Sequence, residues 1–137
     1  MMWIVYAVLS AVFASLTSIL AKIGLNGVNS HLATAIRTVV VLLFSWGMVF
    51  IAGAQKGISS LSRQNIVFLV LSGIATGASW LFYYRALQIG DVSKVVAIDK
   101  SSLVITIVLA AILLKEPFTV KTLIGTVLMA AGIFVLM

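Results

Sequence analysis

The chain contains no cysteine, a single histidine (His31) and only three acidic residues among 137. Without cysteine there is no disulfide, no thiolate metal ligand and no cysteine nucleophile, and one histidine excludes a histidine-rich metal site. No such metal site is therefore expected, and the chain is separately expected to carry no cofactor and no catalytic residue. Charge is scarce as well: Asp, Glu, Lys and Arg make up 9% of the residues, where a soluble globular domain carries about 25%. Phosphate-loop, heptad and nucleophile motifs are missing, as are low-complexity tracts and internal repeats. The longest polar connection, residues 54–65, is too short for a soluble domain.

What is present is apolar. Hydrophobic residues account for 63% of the chain and the mean hydropathy is +1.27, far above a soluble composition. A soluble core of this size leaves too much surface exposed to hide so many apolar side chains, so the surrounding solvent must be lipid. Nine Lys and Arg against three Asp and Glu give a net charge of +6. The cations are scattered singly, without a basic run or aromatic interleaving, which excludes a nucleic-acid surface. Most lie where apolar segments end, as headgroup anchors do.

A bilayer core about 30 Å thick needs about 20 helical residues, and five such stretches are present. The sequence predicts an all-α, polytopic integral membrane protein forming one domain over 1–137, with helices over about 3–22, 31–53, 65–87, 94–114 and 117–137. Lys22, Gly24, Asn26 and Gly27 end the first span, and Ser30 is the expected N-cap of the second. Arg85 is expected to stop the third, with residues 88–94 as a link. Pro117 suits the first turn of the last helix, where its missing N–H has no partner to lose. The Met-Met-Trp start lacks the positive region of a cleavable signal, so the first span is expected to stay as a membrane helix.

Five spans place the termini on opposite sides. Lys56, Arg63, Lys115 and Lys121 then fall on one side. Lys22, Arg85 and Lys94 fall on the other, joined by Arg37 and Lys100 if these snorkel. This near-balance gives no clear cytoplasmic excess and leaves two readings open: a single orientation, or insertion in both. In the second, two opposite copies pair as an antiparallel homodimer and reproduce the inverted repeat that many transporters carry within one chain.

The stretches Phe82-Tyr83-Tyr84-Arg85-Ala86-Leu87-Gln88-Ile89-Gly90, Ser93-Lys94-Val95-Val96-Ala97-Ile98-Asp99-Lys100-Ser101 and Leu114-Lys115-Glu116-Pro117-Phe118-Thr119, followed by Gly125 and Ala131-Gly132, resemble an EamA domain of the drug/metabolite transporter superfamily. The resemblance covers essentially the whole chain. It is to the single-unit, five-span branch, whereas EamA transporters usually hold two units. It implies secondary transport of small metabolites or drugs across a bacterial inner membrane by alternating access, assembly from two chains, and no enzymatic activity. The alternative is a non-transporting membrane subunit or half of a heterodimeric transporter. Small multidrug transporters of the same superfamily carry an acid in their first helix. This chain has none there, so their proton-coupled mechanism does not transfer.

An ionisable side chain within hydrocarbon is costly and marks a pathway by default. Arg37, Asp99 and Lys100 meet that description, and Asp99 is the one acid well inside a span. Ser102, Thr106 and Ala110 follow it at helical spacing and form a small or polar stripe. Ala11, Ser15, Ser18 and Lys22 form another on the first helix. Together the charges suggest an aqueous vestibule open to one side. On the third helix Gly73, Gly77, Trp80 and Tyr84 share a face, where glycines permit close helix approach. Trp80, Tyr83 and Tyr84 would form an aromatic wall for an organic cation. The expected substrate or coupling residues are thus Asp99, Arg37, Lys100, Trp80, Tyr84, Ser102 and Thr106. A purely structural role also fits: snorkelling cations, an Asp99 counter-charge and an interfacial aromatic belt.

Overall fold

Backbone N–H and C=O groups in hydrocarbon must be satisfied within their own segment, which makes helix the default for long apolar runs without proline. The computed structural model describes residues 2–137, and its regular elements are all helical: α1 (Met2–Gly24), α2 (Ser30–Ile51), a 3-10 helix (Ala54–Ser60), α3 (Arg63–Ile89), α4 (Val92–Asp99), α5 (Ser101–Leu113) and α6 (Val120–Leu136). The chain divides into two units, residues 1–20 with 89–137, and residues 21–88.

Four segments are long and apolar enough to cross a membrane: α1, α2, α3 and the run Val92–Leu113 formed by α4 and α5. At 1.5 Å per residue they measure about 33–40 Å. The 17 residues of α6 give about 26 Å, short of the five full-length spans expected. The reason is local. Thr119 caps α6, its hydroxyl accepting from the Thr122 N–H at 3.1 Å, so Pro117 stays outside the helix rather than in its first turn. At the other end of this connection Lys115 adopts a left-handed conformation, φ 54°, and the Glu116 N–H reaches the Ala110 carbonyl at 3.3 Å. A left-handed L-residue costs about 1–2 kcal/mol, and glycine avoids most of this at an entropic cost of about 0.5–1 kcal/mol. Lys115→Gly is therefore expected to raise unfolding stability by about 0.5 kcal/mol, measured by titration with a denaturing detergent.

Three other boundaries differ from expectation. Asn29, not Ser30, caps α2: its Oδ1 accepts from the N–H groups of His31 (2.9 Å) and Leu32 (3.4 Å). The preceding Gly27, at φ 70°, supplies the left-handed turn that aims Asn29 there. Arg85 does not stop α3, because arginine is a good helix former; the helix continues to Ile89, leaving only Gly90 and Asp91 before α4. The fourth span is interrupted at Lys100. The backbone there stays right-handed (φ −68°, ψ −10°), but the Leu103 N–H bonds to the Lys100 carbonyl three residues back, a tightened 3-10 turn.

Helix hydroxyls are satisfied locally. Ser15, Thr17, Thr34, Thr38, Ser45, Thr76 and Thr126 each donate to the carbonyl four residues earlier at 2.7–2.9 Å, an arrangement that hides the hydroxyl from lipid. Few side chains are buried. In residues 21–88 these are Leu25, Ser30, Thr34, Tyr84 and Leu87; in the other unit they are Ala97 and Thr126.

Candidate functional site

In residues 21–88 the ionisable centre is Arg37, seven residues after Ser30 on α2 and so about 10 Å along the helix axis from its start. Its guanidinium carbon lies 4.1 Å from the centroid of the Trp80 ring and 5.4 Å from that of Tyr84. Trp80 and Tyr84 are four residues apart on α3 and share a face, so one turn of helix offers two rings to one cation. Tyr84 is buried, Trp80 and Arg37 are half-buried, and Tyr83 meets Tyr84 edge-on at 6.3 Å. The aromatic wall anticipated for a foreign cation thus already holds the chain's own guanidinium.

The end of α3 is pinned by groups that had not been singled out as partners. Lys22 Nζ donates to the Leu87 carbonyl at 2.6 Å, placing a cation at the negative end of the helix dipole. Gln88 Nε2 donates to the Val28 carbonyl at 2.7 Å, while Arg85 Nη1 donates to Gln88 Oε1 at 2.9 Å. A cavity of about 480 Å³ opens here, lined by Lys22, Ile23, Leu25, Asn26, Gly27 and Gln88. Gln88 is one turn beyond Tyr84 on α3, a spacing that links the cavity wall and the ring face in the sequence.

In the other unit Asp99 is the last residue of α4 and is half-buried. Its Oδ2 accepts from the adjacent Lys100 Nζ at 3.4 Å, and the two side chains are 36% and 50% exposed. So open a pair contributes little stability, because water screens it. Lys100 also lines a cavity of about 360 Å³ together with Val96, Leu103 and the small face of α1, including Ala11, Ser15 and Ser18. Ser102 and Thr106 follow on α5, and both are exposed. The seven candidate residues thus form two groups: Arg37, Trp80 and Tyr84 in one unit, and Asp99, Lys100, Ser102 and Thr106 in the other.

The model of the EamA-like transporter family matches residues 1–137. The chain is 41% identical over 134 residues to a Sinorhizobium protein named as an uncharacterized transporter in the cobO 3′ region, covering 98% of this chain and 95% of that one. It is 30% identical over 103 residues to an uncharacterized protein of Methanocaldococcus jannaschii, covering 69% and 75% of the two chains. No solved structure matches. The match over the whole chain, with several helices long and apolar enough to cross a bilayer, makes this a multi-pass membrane transporter of the drug/metabolite type rather than an enzyme, and the chain belongs to the EamA-like transporter family.

Proposed function

We infer that the protein is a secondary active transporter of small metabolites or drug-like molecules in the bacterial inner membrane, working by alternating access as an antiparallel homodimer of five-span units. The observation that carries this reading is Arg37, held about 10 Å inside an apolar helix on two aromatic rings, a placement that costs free energy and marks a pathway. Pairing is supported by the helix surfaces. A Cβ added at Gly73, Gly77, Gly125 or Gly132 would meet no atom within 4 Å, so these small-residue faces accept the close approach of another helix. Five helices with α6 spanning supply half of the ten in a two-unit transporter, and a second copy in the opposite orientation completes the inverted pair. The balanced distribution of cations favours that orientation.

The transport reading is tested in proteoliposomes loaded with a 13C-labelled bacterial metabolite extract. Vesicles holding this protein alone are expected to release at least one labelled compound that empty vesicles retain. Release of nothing would leave the chain as an inert subunit. Antiparallel pairing is tested by tagging both termini in cells: each end is expected to be accessible in a fraction of the molecules, and one end protected in every molecule would reject it.

A further inference from the structure

Residues 21–88 contain five cations, Lys22, Arg37, Lys56, Arg63 and Arg85, and no aspartate or glutamate. All three acids of the chain, Asp91, Asp99 and Glu116, lie outside this unit, so it holds +5 of the net +6. Lys22, Arg37 and Arg85 belong to the end of α1, the first turns of α2 and the end of α3. Two of them meet neutral groups of their own unit: two ring faces and the Tyr84 hydroxyl for Arg37 and the Gln88 amide oxygen for Arg85. Such partners hold a cation in place without cancelling its charge, and arginine does not escape by deprotonation.

The geometry points to a small organic oxyanion, a free carboxylate or phosphate, as the ligand of this unit, with Arg37 as its receptor; this specifies the cargo of the carrier proposed above. A guanidinium lying on a ring gives up one flat side; one of its in-plane N–H groups is bound to the Tyr84 hydroxyl, and the others are donors of the kind that bind carboxylate and phosphate. The cavity lined by Lys22 and Gln88 lies one helical turn along α3 from the ring that holds Arg37, about 5.4 Å, and gathers anions before they reach it. Positive charge in a low-dielectric surround raises the local concentration of anions and repels cations. A cationic drug would meet rings already occupied, and the positive charge of Arg37 itself. A lipid phosphate offers Arg37 the same chemistry, so the test separates the two sources.

The experiment uses the full chain with Trp3→Phe and Trp46→Phe, leaving Trp80 as the sole tryptophan, in maltoside micelles free of phospholipid. Its emission is followed during titration with isobutyrate, isobutyramide, isobutylamine and inorganic phosphate. Saturable changes are expected with isobutyrate and phosphate and none with the amide or the amine. Arg37→Lys, which keeps the charge but loses the fork, is expected to weaken binding about tenfold, and Arg37→Gln to abolish it. The same elution volume on size exclusion shows that each variant is folded. A response to isobutylamine, no response to either oxyanion, or an oxyanion response that persists in Arg37→Gln would overturn the inference. So would an Arg37-dependent response to added phosphatidylglycerol in the absence of any response to the free anions, which would assign Arg37 to a headgroup. In the labelled-extract assay, release of neutral or cationic compounds alone overturns the anion inference and leaves the carrier intact. An oxyanion response at Trp80 without any release refutes the carrier and leaves the site.

Discussion

Asp99→Asn is expected to cut protein-dependent exchange in proteoliposomes about 100-fold, at the upper end of what a coupling free energy of 1–3 kcal/mol between sites delivers, while insertion and elution volume stay unchanged. Asparagine keeps the shape of the side chain and removes its charge. Asp99 is the one carboxylate well inside a span, seven residues into the run Val92–Leu113, and it sits where α4 gives way to α5. Its partner Lys100 is at 3.4 Å and both side chains are partly exposed, so the pair is held loosely enough to exchange partners with a proton or a substrate. Lys100 in turn borders the cavity against the small face of α1. Losing the acid leaves Lys100 without its counter-charge and fixes one state of that cavity. Exchange at the wild-type rate in Asp99→Asn would remove Asp99 from the mechanism.

Leu87→Ala is expected to lower unfolding stability by about 2 kcal/mol, near the bottom of the range for buried leucine truncation, read as a shift in a denaturing-detergent titration. Leu87 is fully buried, at 0% exposure. In water such a loss combines a transfer term with a cavity term. Here the unfolded reference keeps its helices in lipid, which is as apolar as leucine, so the transfer part nearly vanishes and packing remains. The Leu87 carbonyl still receives Lys22 in the variant, so the loss reports side-chain packing alone. A change below about 0.5 kcal/mol, the size of an ordinary surface substitution, would show that the end of α3 is not a packed anchor.

The helices were legible because their signal is long: twenty or so apolar residues without proline admit one backbone solution in lipid. Their ends were less so. Asn and Ser have nearly equal cap preference, so nothing in Asn29-Ser30 ranks the two until Asn29 Oδ1 is seen to meet His31 and Leu32. Thr119 and Thr122 carried a cap signal three residues apart, overshadowed by Pro117. The tightened turn at Lys100 has no proline or glycine to announce it. At the site, the four-residue step from Trp80 to Tyr84 marked a shared ring face in the sequence, but which cation uses that face depends on how α2 lies against α3, a relation between residues 43 positions apart that no local pattern encodes. The same holds for Lys22 and the Leu87 carbonyl.

The hydroxyls that bond back to their own helix, from Ser15 to Thr126, bear on biogenesis. Hydroxyls quenched in this way ask nothing of a neighbour as the span enters the membrane, whereas Arg37 of α2 meets its ring partners only on α3, a segment translated later.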